Sequence, residues 1–190
     1  MKKTVLDYAL KVRLPITLFV IVIAFAMTYY VSRPARDGIG YQPEQPINFS
    51  HKLHAGDMNI DCQYCHTSVE KTRHAGIPST SVCMNCHTQA RTDKEEIKKL
   101  KEYFDAGKPI PWKRVHKVPD YAYFNHSAHV NKGIDCEECH GNVASMEKVA
   151  QVHSFTMGNC LSCHREAHER MPELKEQIDL GPEYCNACHR

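Results

Sequence analysis

The chain has 190 residues, a formal net charge of +2 and ten cysteines. Its basic residues are scattered and form no stripe, which argues against a nucleic-acid partner. Ten thiols are too many for an ordinary cytosolic protein, so the cysteines must be explained first.

The first predicted element is apolar. Residues 14–31 read LPITLFVIVIAFAMTYYV and contain no charge. As a helix they span about 27 Å, enough to cross a thin bilayer core. Tyr29 and Tyr30 sit where an interfacial aromatic belt belongs. Lys2, Lys3, Lys11 and Arg13 precede the span, so the positive-inside rule places residues 1–13 in the cytoplasm. A cleaved signal peptide is the competing reading. The run is long for one, and Ser32-Arg33-Pro34 is a poor cleavage site. The expectation is a single uncleaved anchor in the cell (inner) membrane, with the rest of the chain on the periplasmic side. Residues 32–46, rich in Pro, Gly and charge, read as a linker.

Two similar units follow, at residues 47–90 and 122–165, within a domain expected over 47–190. Both share the frame Phe-x-His-x-x-His … Ile-Asp-Cys-x-x-Cys-His-x-x-Val … Cys-x-x-Cys-His, an internal duplication. The first carries Phe49, His51, His54 and Val69; the second carries Phe124, His126, His129 and Val143. Between them, Thr92 to Glu95 reads as a capping box, with Ile97, Leu100 and Phe104 at helical spacing and Gly107 as the stop. Pro109, Pro111 and Pro119 make the next stretch extended. A short helix is expected from Pro172 to Gly181, and no sheet.

All ten cysteines fall in five Cys-x-x-Cys-His motifs: Cys62, Cys65 and His66; Cys83, Cys86 and His87; Cys136, Cys139 and His140; Cys160, Cys163 and His164; Cys185, Cys188 and His189. This is the attachment sequence of c-type haem: two thioethers to the porphyrin and an adjacent histidine for the iron. Zinc sites or a disulfide framework have no need of a histidine after every pair. Five covalently bound haem c groups are therefore expected. They supply a core that the polar chain after residue 45 lacks. The expected fold is mostly α with many loops, a haem-cored domain behind one N-terminal transmembrane helix. Five ionised haems would bring the net charge to about −3.

Eight of the 13 histidines lie outside the motifs. His51 and His54 are three apart, as are His126 and His129, so each pair can share a helical face and serve two neighbouring irons. The first histidine of a pair is assigned to the next motif and the second to the motif after it. For the fifth iron, Met157 and His153 both lie ahead of Cys160, on a stretch read as a loop, with His116 and His74 as further candidates. A methionine ligand would raise the potential.

Phe-x-His-x-x-His ahead of Cys-x-x-Cys-His resembles the class III multihaem cytochromes c. The stretches INFSHKLHAG, GIPSTSVCMNCH, PIPWKRVHKVPDYAYFNHSAHVNKGIDCEECHG and TMGNCLSCHR resemble the pentahaem subunit of alternative complex III. Relatives in that group usually carry Thr-Met where this chain has Thr156 and Met157, which favours Met157 as ligand; Asn159 stands where they often carry Trp. The resemblance implies an electron-carrier subunit, not itself an enzyme, of a membrane quinol:electron-acceptor oxidoreductase. Its implied partners are an iron–sulfur subunit, polytopic membrane subunits, and a monohaem cytochrome c or soluble acceptor. Two other readings use the same motifs. One is a single-anchor multihaem quinol dehydrogenase acting alone. The other is a reductase with one five-coordinate iron, which carbon monoxide would detect.

Overall fold

The structure is a computed structural model that describes residues 2–32 and 37–190. Part of the expected linker, residues 33–36 with Arg33 and Arg36, lies outside the described residues. Two compact units divide between Asp37 and Gly38.

The N-terminal unit is one continuous helical rod. It comprises α1 (Lys2–Tyr8), a π-helical turn over Ala9–Arg13, and α2 (Leu14–Val31). The wide turn has a local cause. Pro15 has no N–H and its ring presses on the carbonyl four residues back, at Lys11. The helix widens there, and Leu14 N–H bonds the carbonyl of Ala9, five residues back. Asp7 pairs with Lys11 at 2.9 Å. From Val5 to Val31 the rod is long and apolar enough to cross a membrane, with a mean hydropathy of 2.2 and no buried residue.

The second unit, Gly38–Arg190, is mostly helical, with no strand among the described residues. Its helices are short: α3 (Cys62–Cys65), α4 (Thr80–His87), α5 (Glu95–Asp105), α6 (His126–Val130), α7 (Cys136–His140), α8 (Met157–Arg170) and α9 (Cys185–Cys188). The first cysteine of three motifs starts a helix, in α3, α7 and α9. Side chains fix several starts. Asp61 accepts from Gln63 N–H at 2.7 Å ahead of α3, and Asn125 accepts from Ser127 N–H at 3.1 Å ahead of α6. Thr156 accepts from Asn159 N–H at 3.4 Å ahead of α8.

Three expected features differ. The N-cap of α5 is Lys94, not Thr92, and no side chain caps it. Arg91 adopts a left-handed φ of 57°, which turns Thr92 away from the helix, and Glu95 instead meets Lys98 at 2.6 Å. The expected helix from Pro172 to Gly181 is only a 3-10 turn over Pro172–Leu174. Beyond it the chain sends Ile178 into the core and Gly181 onto His164. The stretch ahead of Cys160, read as a loop, is already the first turn of α8.

The protein core is thin. One cluster joins Ile47, Met84, Leu100 and Ile110; another joins Ala167, Met171 and Ile178. No side chain among the described residues is less than 2% exposed.

Candidate cofactor sites

Seven histidines share one hydrogen-bonding habit. In four of the five motifs, Nδ1 donates to a backbone carbonyl: His66 to Gly76 (2.6 Å), His87 to Ala90 (3.0 Å), His164 to Pro182 (2.8 Å) and His189 to Tyr121 (3.1 Å). Outside them, His54 donates to Ser50, His126 to Arg73 and His129 to Asn125, each at 2.8 Å. A carbonyl can only accept, so the proton sits on Nδ1 and the Nε2 lone pair is free for a metal. Such outer hydrogen bonds orient metal-bound histidines and raise their donor strength. His51 is the exception among the paired histidines: its Nδ1 is buried without a partner.

The rings also pair. His54 faces His87 at 6.1 Å between centroids, His126 faces His140 at 6.3 Å, and His129 faces His164 at 6.2 Å. Two imidazoles that bind one metal from opposite sides, each through a bond of about 2.0 Å, hold their centroids about 6 Å apart. The gap fits an iron in each case. These are three of the four pairs assigned from the sequence. For the fourth, His66 is the charge that acts most strongly on His51. Each repeat's phenylalanine holds its histidines alike. Phe49 lies edge-on to His51 (4.8 Å) and stacks on His54 (4.4 Å); Phe124 lies edge-on to His126 (4.8 Å) and tilts over His129 (4.6 Å).

Burial favours the neutral form, which ligation requires, at four of the rings. Burial, then the neighbouring His66, His54 and His116, brings His51 down to about 4. Burial, then His116, His126, His66 and His153, does the same to His140, also to about 4. Burial lowers His116 and His129 as well. Burial pushes the thiol of Cys139 up to about 11, with Cys163 and Glu138 adding to the effect. The thin core, the free Nε2 atoms and the 6 Å gaps all fit haem attached at the motifs.

The fifth motif is held by the segment ahead of α6: Tyr123 N–H donates to Cys188 O at 2.7 Å, and the ring of Tyr121 stacks on His189 at 5.9 Å. Among the described residues no histidine ring faces His189. Met157 is the first residue of α8 and 65% exposed, one turn ahead of Cys160. Cys160 itself lies close enough to Cys188 for that thiol to raise its pKa, after burial. His153 and His74 are exposed. His168 turns its Nε2 to the carbonyl of Ile178 at 2.8 Å, a packing role. His116 packs edge-on against His140 at 4.4 Å and near Phe155 at 5.9 Å, with its Nε2 buried and unpartnered. That spacing is too short for an iron between the two rings. Sequence reasoning did not place His116 beside the third motif; nothing in the spacing marks it.

Comparison with known proteins accounts for most of the chain. Residues 28–110 match the class III cytochrome c family, and residues 122–190 match the family of cytochrome c7 and related cytochromes c. The chain is similar to the multihaem cytochrome c subunit of menaquinone reductase from Nitratidesulfovibrio vulgaris (strain Hildenborough). The two are 41% identical over 171 residues, which cover 78% of each chain. With its motifs, its histidine pairs and this likeness, the chain belongs to the multihaem cytochromes c of the class III and cytochrome c7 type.

Proposed function

We propose that the chain is the electron-transfer subunit of a membrane quinone oxidoreductase, with five covalent haem c groups. Haem, when bound, supplies one-electron chemistry at iron. The chain's residues do the rest. Cys62, Cys65, Cys83, Cys86, Cys136, Cys139, Cys160, Cys163, Cys185 and Cys188 anchor the groups. His66, His87, His140, His164 and His189 would each supply one ligand to an iron. His51, His54, His126 and His129 would supply the second ligand at the first four sites. Met157, or failing it His153, binds the fifth. The observation that carries this reading is the set of three histidine pairs at 6.1, 6.3 and 6.2 Å. Two strong ligands on each iron leave no open site, which suits electron carriage over substrate chemistry. The chain is then a carrier and not itself the enzyme.

The similar protein is a subunit of a menaquinone reductase. That favours electrons entering from a periplasmic donor and leaving to menaquinone through other subunits. The stretches shared with alternative complex III favour a second reading with the opposite direction, quinol oxidised and a cytochrome reduced. In both, residues 14–31 anchor the chain with its N-terminus in the cytoplasm. Both call for partner subunits: an iron–sulfur protein and polytopic membrane proteins.

The test is purification through a tag on this chain from its own membrane in mild detergent. Partner subunits should co-purify, and a reduced periplasmic cytochrome should drive reduction of a menaquinone analogue. Quinol-driven cytochrome reduction without the reverse would establish the alternative complex III reading. A chain that purifies alone and oxidises quinol would overturn both in favour of a single-anchor quinol dehydrogenase.

A further inference from the structure

The two duplicated halves exchange the same bond. Lys52 follows the first histidine of its pair, and its N–H donates to Met146 O at 3.0 Å. Ser127 holds the equivalent place in the second half, and its N–H donates to Thr72 O at 3.2 Å. The two acceptors are themselves equivalent, each three residues after the repeat's valine, Val69 or Val143. So the loop after each half's first motif holds the other half's histidine turn. Reciprocal contacts between equivalent residues are the mark of a two-fold axis. Both sides carry further contacts. Arg73 O accepts from His126 N–H (3.3 Å) and Nδ1 (2.8 Å), and Asn131 Nδ2 donates to Glu70 O at 3.0 Å. Opposite, Gly56 lies against Ala144 O with no room for a side chain, and Lys52 Nζ meets Glu147 at 3.6 Å.

The first motif of each half lies at this junction, because the loops that form it, residues 70–73 and 144–147, follow His66 and His140 within seven residues. The second motif lies beyond the first, tied to it by Asn85 Nδ2 donating to Tyr64 Oη at 3.1 Å. The third and fourth share α6, which carries His126 and His129. The fourth is tied outward to the approach to the fifth: His164 Nδ1 to Pro182 O (2.8 Å), Gly181 N–H to His164 O (3.1 Å), and Arg165 with Glu183 (2.7 Å).

We propose that the domain is a fused, pseudo-two-fold pair of two-site units and that electrons pass between the halves at one place, between the sites at Cys62–His66 and Cys136–His140. The route then runs second, first, third, fourth, with the fifth site added beyond the fourth. This rests on the electron-carrier reading above. With haem at these sites, each crossing would oxidise one iron and reduce the next by one electron, with no bond made or broken. Duplication alone would give a route with equivalent ends. The fifth site breaks that equivalence, leaving His87 at one end and His189 at the other.

The test uses the intact complex and reads site potentials. Neighbouring irons repel each other's charge, so changing the reduction state of one shifts the midpoint of the next, and the effect falls with distance. Replacing a histidine ligand by methionine raises one site's potential. Each midpoint is followed by NMR during a redox titration, with haem signals assigned through contacts to their own cysteines. With His51→Met, the midpoints of the second and third sites should move, and the fourth should stay. With His54→Met, the first should move and the third should stay. A fourth site that answers His54→Met as strongly as the first would overturn the order, and so would a third site unmoved by His51→Met. If a variant loses its haem, the unaltered complex decides: its strongest magnetic coupling between halves should join the first and third sites, and any other strongest pair refutes the proposal. Failure of the functional reading looks different, as sites that keep this pairwise pattern but exchange no electrons with quinone or cytochrome.

Discussion

Gly181 has no freedom to carry a side chain. A Cβ there would sit inside contact distance of the His164 ring, whose Nδ1 is held by the next carbonyl, that of Pro182. Gly181→Ala must therefore push the imidazole or the loop, and overpacking of this kind costs about 1–3 kcal/mol. The expected result is a lower melting temperature together with an altered low-spin EPR signal from one haem. An unchanged spectrum would mean that His164 binds no iron. Met157 permits a sharper prediction. As the proposed fifth distal ligand, its replacement by alanine should open one iron, and a carbon monoxide difference spectrum should appear that the parent lacks. Met157→His should restore six-coordination and lower that site's potential, because thioether ligation raises it. If neither variant changes carbon monoxide binding or potential, the ligand is another residue, and His153→Ala is the next to try.

At the scale of elements, α5 holds the second motif in place through packing and contributes no candidate ligand. Leu100, 4% exposed, joins α5 to Met84 on α4, between Cys83 and Cys86, and to Ile47 and Ile110. Gln45 and the backbone of Lys113 exchange two bonds of 2.8 Å across the same cluster, and Asn48 N–H bonds Glu96 at 2.9 Å. Leu100→Ala should cost about 2–5 kcal/mol, seen as a fall in melting temperature with haem content per chain retained. Helix α5 was readable in the sequence because Ile97, Leu100 and Phe104 repeat at helical spacing. Its start was not, because Arg91 breaks the turn ahead of it and Glu95 pairs forward with Lys98. Helix α8 was invisible for a different reason. Its sequence is polar, and it rests on the Thr156 cap and an exposed network of Ser162, Glu166 and Arg170. The ring contacts of His54, His126 and His129 with motif histidines were foreseeable because spacing of three on a turn fixes direction. The acceptors that aim those rings were not, since Gly76, Ala90, Arg73 and Pro182 act through backbone carbonyls that leave no trace in residue type.

For the whole molecule, the decisive quantity is how little the protein buries on its own. Only eight apolar residues among those described are buried: Ile47, Val69, Met84, Leu100, Ile110, Ala167, Met171 and Ile178. Domains of about 150 residues ordinarily bury roughly 70% of the surface their unfolded chains expose. Helices of four or five residues, such as α3, α6, α7 and α9, lie far below the 12–15 at which a lone helix becomes even marginal in water. The ion pairs add little, because they are largely exposed and such pairs are each worth about 0–1 kcal/mol. The porphyrin faces are then the missing core, and the histidine pairs are crossbars that close once iron stands between them. Folding of residues 38–190 should therefore depend on haem attachment. The chain made in cells without the attachment machinery is expected to lack cooperative unfolding and to be cut rapidly by protease throughout this region, while the apolar rod of Val5–Val31 stays helical in detergent. Loss of single groups should be graded by position. Cys185→Ser with Cys188→Ser removes an appended site and should leave the duplicated halves folded. Replacing Cys62, Cys65, Cys136 and Cys139 together by serine removes both groups at the junction and should unfold them. Equal protease resistance of these two variants would show that the protein chain, and not the haem, carries the fold.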